Sequence, residues 1–262
     1  ANWPPRKGAA LQQIDKLTAH RVRPLFVACS RTVRESAIRH LGLPAEEVRV
    51  IYNSIDQATL VCEPEEAAQL RKQYGIPVDG FVFINVGRLG QEKGQSILLR
   101  AFQKVAADLP NGYLVLVGDG AEKESLQKLA TDLGISERLR FLGQRADVGA
   151  CLEMSDVFVF PSLFEGLPLA PIEAMLKSVP CIVTRIEPLL ELFADDDTGI
   201  VVGPGSVDEL ADAMRKVYSD PALRKRLGAN ARIKAVENFD SSTGVHAWEQ
   251  LYNELVPRAA TE

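Results

Sequence analysis

From Phe81 onward, short runs of apolar and β-branched residues alternate with longer stretches of helical periodicity. Few folds accept such a chain besides a parallel sheet wrapped by helices. The predicted strands are Phe81–Gly87, Tyr113–Gly118, Leu139–Leu142, Val157–Pro161, Pro180–Thr184 and Gly199–Val202. Runs such as Phe81-Val82-Phe83-Ile84 and Val157-Phe158-Val159-Phe160 are apolar throughout, as suits strands covered on both faces; a strand with one wet face would alternate. Between them, Ser96–Asp108 puts Leu98, Phe102, Val105 and Leu109 on one helical face, and Glu122–Leu133 does the same with Leu126, Leu129, Ala130 and Leu133, closed by Gly134. Three more helices are expected at Val207–Tyr218, Ala222–Glu237 and Ser242–Leu255, the second opened by Asp220-Pro221. The fold class is α/β, a Rossmann-like doubly wound parallel sheet with C-terminal helices.

Ahead of Phe81 a helix is expected around Ala10–Val22, a strand at Leu25–Ala28, a helix at Thr32–Leu41 and a strand at Val48–Tyr52. This is too little for a second doubly wound domain, which needs ~100 residues or more. The expected division is therefore 1–60 as a small leading unit and linker, 61–240 as the main domain and 241–262 as a closing helix.

Composition excludes several classes. With 46% hydrophobic and 25% charged residues among 262, the chain is neither disordered nor fibrous. No apolar run approaches the ~20 residues of a membrane-spanning helix, and Ala1–Lys7 opens no secretory leader, so a cytoplasmic protein is expected. Cys29, Cys62, Cys151 and Cys181 are scattered without a C-x-x-C pair, and are expected to be buried free thiols. The net charge of −5 argues against a nucleic-acid partner. Charge is uneven, with nine Lys or Arg against five Asp or Glu between Ala1 and Leu60. A basic stretch of this kind suits peripheral contact with the inner face of a membrane, although uneven solvated charge is also common. His20, His40 and His246 lie far in sequence from the strand ends, so neither a Ser-His-Asp triad nor a histidine metal cluster is indicated.

The chemistry-bearing residues cluster where strands end. Glu165-Gly166-Leu167-Pro168-Leu169-Ala170-Pro171-Ile172-Glu173 joins a buried strand to a helix. Glu165 falls at the strand's carboxyl end and Glu173 in the early helix, so both carboxylates border one crevice. Ionised carboxylates accept strong hydrogen bonds from the hydroxyls of a ribose or hexose; the helix dipole alone also favours an acid there. Val86-Gly87-Arg88-Leu89-Gly90-Gln91-Glu92-Lys93-Gly94 turns sharply out of another strand and brings two cations to the same edge, as a diphosphate site would. It does not match G-x-G-x-x-G, and loop cations in water give the same pattern. Val117-Gly118-Asp119-Gly120 and Phe141-Leu142-Gly143-Gln144-Arg145 are further strand-end loops, and all four are expected to converge at the sheet's switch point.

Taken in order, Val50-Ile51-Tyr52-Asn53-Ser54-Ile55-Asp56, Gly87-Arg88 with Glu92-Lys93-Gly94, Val117–Gly120, Phe141–Gly143, Asp156–Ser162, the Glu165 and Glu173 pair, and Thr198-Gly199 resemble the donor-binding domain of the family 4 retaining glycosyltransferases. Those proteins have the GT-B fold of two facing Rossmann-like domains. The resemblance implies a hexosyltransferase of carbohydrate or cell-envelope biosynthesis that takes its sugar from a nucleotide-diphosphate sugar with retention of configuration. It places Arg88 and Lys93 on the donor diphosphate, Glu173 on the ribose, Glu165 on the transferred sugar, and Gly143 and Gln144 beside the base. Backbone N–H groups of Gly166, Leu167 and Leu169 complete an anion cradle, with no cofactor and no metal required. Relatives carry Gly where Pro168 stands, Asn-Gly where this chain has Asn53-Ser54, and two glycines near Arg185-Ile186 ahead of an acid corresponding to Glu191. These departures leave the diphosphate geometry and the sugar open.

The same resemblance implies that the acceptor site belongs to an N-terminal domain represented here only by Ala10–Val50. The implied partners are a nucleotide sugar, a saccharide or lipid-linked acceptor, and the rest of that domain or a partner subunit. An apolar face of the closing helix, with Trp248, Leu251 and Leu255, then needs a partner. A non-catalytic interaction module and a nucleotide-sugar epimerase remain the competing readings.

Overall fold

The computed structural model describes residues 25–256, together with Gln13, Asp15, Leu17, Thr18 and Arg21; the helix expected around Ala10–Val22 lies largely outside the described residues. A small unit comes first. Strand β1 (Phe26–Ala28) pairs in parallel with β2 (Val48–Val50), Phe26 opposite Val48. Helix α1 (Arg31–Leu41) joins them, and Ala37 and Leu41 pack with Leu43 and Val48 beneath it. Its ends are marked in the sequence: the Ser30 hydroxyl accepts from the Val33 N–H at the start, and Gly42 stops it at a φ of 68°.

The main unit contains α2 (Pro64–Gln73), β3 (Phe81–Val86), α3 (Gln95–Val105), β4 (Gly112–Val117), α4 (Lys123–Asp132), β5 (Leu139–Gly143), α5 (Val148–Glu153), β6 (Val157–Phe160), α6 (Leu169–Leu176), β7 (Cys181–Thr184), α7 (Glu187–Leu192), β8 (Ile200–Val202), α8 (Val207–Ser219) and α9 (Pro221–Phe239). Its six strands are all parallel, in the order β5-β4-β3-β6-β7-β8. Every side chain of β3 and β6 is buried because both faces are covered. Val82, Ile84, Phe158 and Phe160 join a cluster with α2, α5, α6 and part of α9. Phe81, Phe83, Val157 and Val159 join the opposite one, with α3, α4 and α8. A parallel doubly wound sheet is therefore the observed architecture.

The expected strands stand within a residue or two at each end. Three helices were absent from the expectation. Helices α5 and α7 have six residues each, too few to display a period. Helix α2 does carry a start signal, Pro64 at its first position and Glu66 accepting from the Glu63 N–H at 3.2 Å.

The last helix, α10 (Ser241–Leu255), follows α9 directly. There the chain runs beside the linker after β2: Ile55 donates its N–H to the Phe239 carbonyl at 2.9 Å, and Ser241 donates back to the Ile55 carbonyl at 2.9 Å. Tyr52 meets Phe239 edge to face at 5.5 Å. The expected apolar face of α10 divides: Leu251 is buried, while Trp248, stacked on Tyr252 at 5.9 Å, and Leu255 are exposed. The thiols divide as well: Cys151 on α5 and Cys181 on β7 are buried, while Cys29 and Cys62, in loops, are half-buried.

Candidate functional site

Strand succession reverses between β3 and β6, because β4 and β5 continue to one side of β3 and β7 and β8 to the other side of β6. At such a point the two flanking loops splay apart and leave a crevice at the carboxyl ends of the strands. The loops are tied to one another by backbone bonds. Gly87 donates to the Val117 carbonyl at 2.9 Å, Gly118 to Gly143 at 2.7 Å, and Leu163 to Glu92 at 2.8 Å.

One glycine also lets the turns after β3 and β6 approach closely. Gly94 has a φ of 68°, and a β-carbon on it would lie 2.2 Å from the Pro161 carbonyl oxygen. Only glycine lets the turn after β3 rest directly on the exit of β6. Lys93, one residue earlier, is thereby carried across that exit. Its Nζ lies 5.5 Å from the centre of the Phe160 ring and 2.6 Å from Oε1 of Glu165. This ion pair is largely enclosed, with side-chain exposures of 19% and 9%. Lys93 and Glu165 thus meet although 72 residues separate them.

Glu173 lies in the second turn of α6 and is half-buried. Its carboxylate has no hydrogen bond or ion pair with the described residues, and burial raises its pKa above the ordinary carboxylate value. Ionising this group in place is costly, so its native state binds protons more tightly than the unfolded chain does, and stability falls as pH rises past the ordinary range. Glu173→Gln is accordingly expected to raise the melting temperature at pH 7 to 8 by a degree or two, the effect of ~0.5 kcal/mol in a domain of this size. The gain should vanish below the ordinary carboxylate pKa, and calorimetry across pH 4 to 8 checks both.

The N–H groups of Gly166, Leu167 and Leu169 donate to no described residue. Gly166 and Leu167 have their carbonyls engaged instead, by the Ser30 hydroxyl at 3.1 Å and the Asn53 amide at 2.9 Å. Arg88 stands apart from this group. It is 72% exposed and pairs with Glu92 at 2.5 Å. Gly143 ends β5 with a φ of 69°, and Gln144 beyond it is exposed at the same edge, two strands from β3. His40 lies in the last turn of α1 and His246 on α10, while His20 falls outside the described residues. Among the described residues no group of three or more His, Cys, Asp or Glu is placed to hold a metal ion, and no helix is long and apolar enough to cross a membrane.

Sequence reading overlooked the contribution of the small unit. Ser30, Asn53 and Tyr52 reach the Gly166-Leu167 turn or Glu191 of α7 across more than 110 residues. Asn53 was visible within the Tyr52-Asn53-Ser54 stretch; nothing in the local sequence of Ser30 points to the crevice.

A sheet of this order, with charged and glycine-bearing loops gathered at its switch point, defines a Rossmann-like α/β domain. Residues 66–234 match the family described as glycosyl transferases group 1. The chain belongs to that family. It is 31% identical over 213 residues to the N-acetyl-alpha-D-glucosaminyl L-malate synthase of Bacillus anthracis, covering 81% of this chain and 55% of that protein. It is also 31% identical over 226 residues to the UDP-Gal:alpha-D-GlcNAc-diphosphoundecaprenol alpha-1,3-galactosyltransferase of Escherichia coli, covering 85% and 58%. Among solved structures, Anabaena Alr3699/HepE in complex with UDP and glucose superposes with a TM-score of 0.87 at 27% identity, covering 95% of this chain and 68% of that one. The chain spans a little over half the length of the two enzymes it matches.

Proposed function

We propose that the chain is the donor-binding half of a retaining glycosyltransferase of family 4, taking a nucleotide-diphosphate sugar in the crevice between β3 and β6. The observation that carries this reading is the enclosed Lys93–Glu165 pair at the switch point, with the partnerless Glu173 carboxylate and the open Gly166, Leu167 and Leu169 amides around it. At 2.6 Å Lys93 and Glu165 occupy one another. An incoming donor carries groups that satisfy both, phosphate oxygens for the ammonium and sugar hydroxyls for the carboxylate. As the bond from the sugar to the diphosphate lengthens, negative charge gathers on the leaving oxygen. Lys93 and the fixed amides stabilise it more in the transition state than in the ground state.

The remaining roles are those the family resemblance implies. Glu173 accepts from the ribose, Arg88 leaves Glu92 to reach the diphosphate, and Gly143 and Gln144 flank the base, about 10 Å away at two strand spacings. The acceptor is a saccharide or lipid-linked saccharide, in keeping with the diphosphoundecaprenol-linked substrate of the Escherichia coli relative. An N-terminal domain or partner subunit supplies the acceptor site, and contact with the membrane is peripheral.

Titration calorimetry with UDP, GDP and ADP tests the donor site. One of the three is expected to bind below 1 mM (roughly −4 kcal/mol or tighter), with the same affinity in chelator as in magnesium to within about twofold, because Lys93 and the amides carry the charge. Failure of all three at millimolar concentration would defeat the reading, and binding that appears only with magnesium would defeat its metal-free form.

A further inference from the structure

Four hydrogen bonds converge on a carboxylate outside the crevice just described. Glu191 accepts from the Arg31 N–H at 3.0 Å, the Thr32 N–H at 2.8 Å, the Thr32 hydroxyl at 2.7 Å and the Tyr52 hydroxyl at 2.8 Å. Arg31 and Thr32 open α1, where N–H groups have no acceptor within the helix and the helix dipole favours an anion. Tyr52 lies just beyond β2. One acid of the large unit therefore fastens the small unit at two separate places.

Each fastened place lies one residue from a donor that holds the Gly166-Leu167 turn. Ser30 precedes Arg31, and its hydroxyl binds the Gly166 carbonyl at 3.1 Å. Asn53 follows Tyr52, and its amide binds the Leu167 carbonyl at 2.9 Å. In a trans peptide the N–H points opposite to the carbonyl of the same plane. Holding the Gly166 carbonyl toward Ser30 thus aims the Leu167 N–H the other way, and holding the Leu167 carbonyl fixes the following plane at Pro168.

We propose that Glu191 is a positioning residue for the donor diphosphate, acting through Ser30 and Asn53 on the orientation of the Gly166-Leu167 turn. The proposal rests on the reading of the crevice as a nucleotide-sugar site. It makes the small unit part of the donor site's framework as well as a connection to an acceptor domain. Burial works to raise the Glu191 pKa, yet the donors from Thr32, Arg31 and Tyr52 outweigh it and hold the carboxyl below the ordinary range. The same contact, with burial leading, pushes the Tyr52 hydroxyl up to about 12. The clamp is therefore an anion bound by neutral donors throughout the neutral pH range.

The test compares wild type, Glu191→Ala, Glu191→Gln and Asn53→Ala by calorimetry with whichever of UDP, GDP and ADP the wild type binds, with the matching nucleoside, and by amide hydrogen exchange over residues 163–169. Glu191→Ala and Asn53→Ala are expected to weaken the diphosphate threefold or more, to leave the nucleoside unchanged and to speed exchange in that segment. Glu191→Gln, which keeps one acceptor oxygen, should fall between. A change in diphosphate affinity below threefold, or an equal loss for nucleoside and diphosphate, would overturn the proposal even if the melting temperature drops. If Glu191→Ala does not fold, Ser30→Ala and Asn53→Ala, which each remove one bond to the turn, decide on the same criteria. A wild type that binds none of the three diphosphates overturns the crevice reading, and this proposal with it. A wild type that binds alongside variants that bind equally well overturns this proposal alone.

Discussion

Lys93→Ala is expected to weaken nucleoside-diphosphate binding by ~1.5–3 kcal/mol, the range of a charge-assisted hydrogen bond, or roughly 10- to 150-fold. The nucleoside without phosphates should bind as before, because Lys93 is proposed to meet only the diphosphate. A second effect follows from the enclosure of the pair. With Lys93 gone, Glu165, 9% exposed in the intact pair, loses its counter-charge, and leaving a largely buried group unsatisfied costs about 1–3 kcal/mol of stability. The two effects separate in a double variant. Lys93→Ala with Glu165→Gln should recover most of the denaturation midpoint and none of the diphosphate affinity. Equal losses for nucleoside and diphosphate in the single variant would instead trace the defect to the fold.

Gly94→Ala should be among the most damaging single methyls at the site, lowering stability by about 3 kcal/mol or more. Two costs combine. A φ of 68° strains any residue with a β-carbon, by ~1–2 kcal/mol. The new carbon also lies 2.2 Å from the Pro161 oxygen, so the turn must lift off the β6 exit. In scanning calorimetry this corresponds to a fall of roughly 6–12 °C for a domain of this size. Gly134→Ala provides the comparison, since Gly134 has the same φ and nothing within 4 Å of the added carbon. That variant should lose only the strain cost. Equal falls for both would remove the close approach as the explanation and weaken the argument that Gly94 delivers Lys93 to the crevice.

The contrast between Lys93 and Arg88 marks how far a linear reading reaches. In sequence both are cations in one glycine-bearing turn after an apolar strand, and no local signal ranks them. In three dimensions Gly94 folds the turn onto Pro161 and encloses Lys93 with Glu165, while Arg88 stays in water beside Glu92. Strands were legible because a doubly covered strand is apolar along nearly all its length, as Val157–Phe160 is throughout. The switch point was legible because glycine and charge recur where strands end. Short helices such as α7 were not, and neither was the Glu191 node. Its partners are 139 to 160 residues distant, and a threonine, a tyrosine and two backbone amides carry no pattern of their own.

The side-by-side passage of the chain at Ile55 and Asp240 has a mechanical consequence. Movement between the small and large units has to bend both crossings together, because two backbone hydrogen bonds join them and the Tyr52–Phe239 contact braces them. A pair of joined strands flexes readily about the line between them and resists being wrung along its length.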